Sequence, residues 1–106
     1  MTTPTDDRRD LLTVIASMHA APGKESQLRQ ALEALIKPTS KEDGYVNYDL
    51  HQGAEDPGTF FLYENWESPE HLDAHLAAPH LVHFSEIMGD LLDEDGLTIT
   101  RLRRIA

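Results

Sequence analysis

The chain has 106 residues, 19 Asp and Glu against 9 Lys and Arg for a formal charge of −10, and no cysteine. Its length points to one domain; its charge speaks against nucleic acid and anionic membrane surfaces, both of which call for clustered Lys and Arg. Without cysteine there is no disulfide, iron–sulfur cluster, thiolate metal site or cysteine nucleophile; no apolar run reaches the roughly 20 residues that span a bilayer, and the lack of a basic-then-apolar leader makes a cytoplasmic protein the expectation.

In chain order, MTTPTDDRRD is polar and aperiodic, so residues 1–10 are expected to form a frayed tail ahead of a domain over 11–106. Leu11 to Ala20 alternates as a first strand, with Leu12, Val14, Ala16 and Met18 on one face and Thr13, Ile15, Ser17 and His19 on the other. Pro22 and Gly23 mark the turn out of it. From Lys24 to Lys37, the residues Leu28, Ala31, Leu32, Leu35 and Ile36 make one apolar stripe at helical spacing, and Pro38 is expected to end that helix. Tyr45 to Gln52 reads as a second strand, with Val46, Tyr48 and Leu50 opposite Tyr45, Asn47, Asp49 and His51. A turn over Gly53 to Gly58 then returns the chain as a third strand, Thr59 to Glu67, in an antiparallel hairpin.

The stretch from Phe60 to Phe84 holds the chain's only tryptophan, Trp66, and within the next 17 residues four of its six histidines, His71, His75, His80 and His83. On the strand, Phe60, Leu62, Glu64 and Trp66 share a face. Ser68 is placed to cap a helix from Pro69 to Ala77, with Glu70 at its positive end. Residue physics leaves two readings open: a pocket wall built of indole and imidazole, or a tryptophan capping a core beside solvated histidines. Pro79 opens another helical segment carrying Leu81, Phe84, Met88 and Leu91; Asp93 to Gly96 reads as a charged stop. The run Asp90 to Asp95 lacks the spacing of a calcium loop and is expected to be a solvated helix end. Leu97 to Ile105 alternates as a final strand, with Arg101 and Arg103 together at a dimer seam or sheet edge.

The order β-α-β-β-α-β predicts an α+β, ferredoxin-like fold: a four-stranded antiparallel sheet with the helices on one face. The face left open, carrying Ile15 and Tyr45 among polar residues, is expected to pair with a second copy in a homodimer.

The segments LLTVIASMHAAPGKE, GYVNYDLHQ and FFLYENWESPEHLDAHLAAPHLVHF resemble the antibiotic biosynthesis monooxygenase domain of the dimeric α/β-barrel superfamily. Glu64, Trp66, Ser68, Leu72, His75 and His80 carry the pattern E-x-W-x-S-x-x-x-L-x-x-H-x-x-x-x-H, and the resemblance spans about Leu11 to Ile105. It is similar above all to the small quinol monooxygenases, which implies oxidation of a hydroquinone, polyphenol or anthrone-type aromatic by molecular oxygen with no flavin, haem or metal. No nucleotide loop or H-E-x-x-H motif argues otherwise.

Such chemistry needs a base for a phenolic proton, and a neutral imidazole suits that task near pH 7. His75 lies on the inward face with Leu72 and Leu76 and is the expected base. Trp66 would stack on the substrate, and Glu64 would orient a histidine or bond the substrate. Tyr48, Phe60, Leu62, Phe84 and Met88 would line an apolar pocket, with His80 a further substrate contact. His75 is also open to a reading as a packed core histidine, and Glu64 as a strand-edge hydrogen-bonding group.

Two other functions fit the same fold. A non-catalytic dimer would bind a small aromatic without reacting. A haem-degrading relative would place an asparagine where Ala16 stands. His71 and His75, at i and i+4, could make half a metal site, but no third ligand is apparent, so no metal is expected.

Overall fold

The computed structural model describes residues 8–106. Most of the expected tail therefore lies outside the described residues; of its last three, Arg8 donates hydrogen bonds to Asp10 and Glu67 at the surface.

Strand β1 (Leu12–Ala20) is followed by helix α1 (Glu25–Thr39), strands β2 (Tyr45–Gln52) and β3 (Thr59–Trp66), helices α2 (Pro69–Leu76) and α3 (Pro79–Ile87), a short 3-10 turn (Met88–Asp90) and strand β4 (Leu92–Arg103). The strands pair antiparallel in the order β2-β3-β1-β4. This is the expected ferredoxin-like arrangement, with the second helical stretch divided at Pro79. Period-2 alternation sends Val14, Ala16 and Met18 of β1 and Phe60, Leu62 and Trp66 of β3 to the helical side, where they meet Leu28, Leu32 and Leu35 of α1, Leu72 of α2 and Phe84 of α3. Among the described residues no helix is long and apolar enough to cross a membrane.

Four local expectations are corrected. Pro38 does not end α1; the helix runs on to Thr39, because a proline this near the C-terminus forfeits only its own donor while Ser40 N–H still reaches Ile36 O at 3.1 Å. The extension carries the fully buried Thr39. In β2 the register slips between Tyr45 and Asn47, placing Tyr45 opposite Trp66. Such a bulge switches the face of what precedes it, so Tyr45 meets Trp66 edge to face (centroids 6.5 Å apart) rather than lying on the open face.

The final strand begins at Leu92, not Leu97. Regular pairing would set Ala20 opposite Asp95, yet it sits opposite Leu92. The acidic residues are extra chain within an irregular strand rather than a helix end, and His19 holds the Asp93 carboxylate there. Arg101 and Arg103 stand on edge strand β4, the sheet-edge placement expected of them; Arg101, opposite Val14, is on the helical side with its guanidinium 3.5 Å from Asp73 of α2.

Candidate active site

The site is built where the end of β3, the last turn of α2, the first turn of α3 and the loop after α1 converge. Ser68 is extended, and its hydroxyl accepts from His71 N–H at 3.2 Å, which starts α2 immediately after Trp66. Leu72 and His75, one turn apart, are consequently driven inward, and His75 is 1% exposed. On the other side, α1 unwinds through successive turns in which Lys41 N–H reaches Pro38 O and Glu42 N–H reaches Thr39 O. These return the Glu42 side chain to the imidazoles.

Glu42 Oε2 lies 2.7 Å from His75 Nδ1 and 2.9 Å from His80 Nε2. A carboxylate oxygen accepts, so the proton of the first bond sits on Nδ1, leaving Nε2 of His75 with a free lone pair. Thr39 Oγ1 is 3.2 Å from His80 Nε2. The His75 ring stacks at a tilt on Trp66 (centroids 4.5 Å, 36°) and meets the Tyr48 ring at 5.2 Å. Trp66 is fully buried and its Nε1 donates to Glu64 Oε1 at 2.9 Å.

Among the described residues, every fully enclosed side-chain nitrogen or oxygen has a hydrogen-bond partner. His75 Nε2 has none, so it is not fully enclosed. The space His75 borders is a cavity of about 60 Å³ whose walls include Tyr48, Leu62, Glu64, Leu81 and Phe84. Its rim carries Leu76 and Ile99, 40% and 43% exposed.

Burial sets the electrostatics. Desolvation holds the His75 imidazole below its ordinary pKa, against the pull of the Glu42 carboxylate. The Glu64 carboxyl is raised to about 7, chiefly by burial, with the Trp66 indole opposing and the Glu42 charge adding. The Tyr48 phenol is pushed up by burial and by both carboxylates, so it stays neutral.

Of the residues singled out from sequence, His75, Glu64, Tyr48, Leu62 and Phe84 meet at the cavity. Trp66 faces the imidazole. Phe60 lies on a wider groove of about 370 Å³ between α1 and β2, which shares Tyr48 as a wall, while Met88 packs on the core from the 3-10 turn. His80 turns toward Glu42 and Thr39 instead of the cavity. The group that orients the histidine is Glu42, not Glu64. It lies 33 positions before His75, in a polar loop with no periodicity; the one sequence signal is an acid two positions before the turn glycine Gly44. His71, the other half of the suggested metal pair, instead bonds Ser68 Oγ at 2.8 Å.

Comparison with known proteins agrees with this architecture. The sequence profile described as antibiotic biosynthesis monooxygenase matches residues 11–87. The probable quinol monooxygenase YgiN of Escherichia coli is 38% identical over 96 residues, covering 78% of this chain and 90% of that protein. The crystal structure of PA3566 from Pseudomonas aeruginosa superposes with a TM-score of 0.86 at 36% identity, covering 92% of this chain and 96% of the other. Rv0793 from Mycobacterium tuberculosis gives 0.84 at 34% identity, over 91% and 96%. With the profile match running from the first strand through α3, the chain belongs to the antibiotic biosynthesis monooxygenase family.

Proposed function

We propose that the protein is a cofactor-independent monooxygenase that oxidises a hydroquinone, polyphenol or anthrone-type aromatic with molecular oxygen. The observation that carries this reading is the Glu42–His75 pair. The carboxylate fixes Nδ1–H, Nε2 is left unpartnered, and His75 lines an apolar cavity. Burial keeps the imidazole neutral and able to accept a proton, and the Trp66 face 4.5 Å away favours the cation once it forms.

For an anthrone-type substrate the steps balance as follows. Nε2 takes the proton of the enolic hydroxyl, and the resulting anion gives one electron to dioxygen. The two radicals join at the ring carbon as a hydroperoxide, which takes up the proton from imidazolium. Loss of water then leaves the quinone: one oxygen atom stays in the product and the other leaves as water. Glu64, neutral below about pH 7, is placed to donate to the substrate oxygen. Trp66 is a positioning residue for both His75 and Glu64.

The cavity is the size of about two waters, which suits dioxygen; a benzene-sized ligand needs roughly 150 Å³. The aromatic therefore enters by displacing Leu76 of α2 from the rim and Leu81 of α3 from the wall. The same reading includes a homodimer joined through the open sheet faces. Oxygen uptake with menadiol or anthrone tests the function: the enzyme consumes oxygen in proportion to quinone formed, whereas a module that only binds aromatics consumes none above the uncatalysed rate.

A further inference from the structure

The chemistry above uses only one side of the Glu42 cluster. His75 Nδ1, His80 Nε2 and a Glu42 carboxylate oxygen lie within 4.8 Å of one another. Their side chains are 2%, 21% and 15% exposed, so the cluster runs from the core to a partly open surface. We propose that Glu42, His75 and His80 form a binding site for a divalent transition-metal ion, and that an ion bound there switches the enzyme off.

The donor set is right for such an ion. Two imidazoles and a carboxylate suit zinc, cobalt, nickel or copper, and disfavour magnesium and calcium, which prefer oxygen. The reach is right as well. Zinc bonds of about 2.0–2.1 Å set tetrahedral donors roughly 3.4 Å apart, so the Glu42–histidine separations of 2.7 and 2.9 Å need to open by about half an ångström, and the two imidazoles, within 4.8 Å, need to adjust with them. Thr39 Oγ1, 3.2 Å from His80 Nε2, is a neighbouring oxygen for the fourth position or for a water held there.

The inhibitory sense follows from which nitrogen is used. A metal on Nδ1 sits across the ring from the cavity, away from any substrate. To bind it, neutral His75 moves its proton from Nδ1 to Nε2, with no net gain or loss. Nε2 then presents N–H to the cavity and has no lone pair for the substrate proton. His80 makes the same exchange between its own nitrogens.

The inhibition rests on the base role proposed for His75; the binding does not, and the experiment separates them. Cobalt(II) added to chelator-treated protein is expected to bind at one equivalent per chain, with the intense visible absorption of a four-coordinate ion. Glu42→Gln and His80→Asn should each abolish that spectrum. Zinc should displace the cobalt and lower oxygen uptake on menadiol by roughly 10²-fold, the scale of a lost general base. Each variant, measured against its own metal-free rate, should escape that inhibition. No cobalt spectrum, or one that survives His80→Asn, overturns the site and leaves the proposed function standing. Metal-free protein that is inactive until cobalt is added overturns both the switch and the cofactor-independent reading. Binding with no change in uptake overturns the switch.

Discussion

At the residue scale the most consequential feature is a carboxyl group placed where carboxyls are rarely left. Glu64 is 4% exposed and its one side-chain hydrogen bond comes from the Trp66 indole. Its folded pKa of about 7 stands above the ordinary value of 4.5, so the folded state holds the proton more tightly than the unfolded chain. Stability from this group is therefore present below pH 4.5 and is lost as pH rises toward 7; the gap is worth on the order of 3 kcal/mol. Glu64→Gln keeps an oxygen for the indole and removes the titration. Urea unfolding across pH 4.5–7.5 should show wild-type stability falling over that window and the variant's slope flattened. Equal slopes would show that the carboxyl is not held neutral. Much of this was legible in sequence, since alternation alone put Glu64 and Trp66 on one strand face. The partnership of Glu42 with His75 was not, because it depends on how a loop closes after α1.

At the element scale, the capping signals and the overall strand order held, while the end of α1 and the details of strand register did not. Ser68 and Pro69 start α2 because a cap and an N1 proline need only their immediate neighbours. The Val46 bulge and the early start of β4 depend on what lies across the sheet, which no single segment records. The loop that carries Glu42 is secured by Gly44, whose φ of +78° is a conformation that other residues take only under strain. A Cβ there would lie 2.1 Å from the His71 ring. Gly44→Ala should destabilise the fold by on the order of 1–3 kcal/mol and reduce oxygen uptake as Glu42 is displaced. Thermal unfolding followed by circular dichroism checks the first part; an unchanged midpoint would mean the loop has another way to close. A second tie, His19 between Asp93 and Asp56, joins the end of β1 to β4 and to the β2–β3 turn. Its imidazole pKa is raised, first by the Asp93 hydrogen bond, so this tie is complete below pH 6.5 and weakens as pH rises beyond. His19→Gln should flatten that part of the stability profile.

At the scale of the whole molecule, helices cover one face of the sheet and leave the other with Phe61, Tyr63 and Leu102 between 36% and 43% exposed. The proposed homodimer would cover this face with a second copy, the usual way for a chain of 106 residues to hide apolar surface that its own helices leave open. Sedimentation should find twice the monomer mass for the wild type and the monomer mass for Phe61→Glu, which puts a charge at the centre of that face; a monomeric wild type would remove the dimer from this account.

The same molecular plan isolates one imidazole between a carboxylate and an oily cavity, and the proposed function gives it the task of making a substrate anion. Oxygen uptake across a series of hydroquinones of increasing acidity, compared between wild type and His75→Ala, tests that task most directly. The variant should be slower by roughly 10²-fold or more on weakly acidic substrates, and the gap should close as the phenol becomes acidic enough to ionise without help. A gap of the same size along the whole series, or no gap at all, would contradict the assignment of His75 as the base.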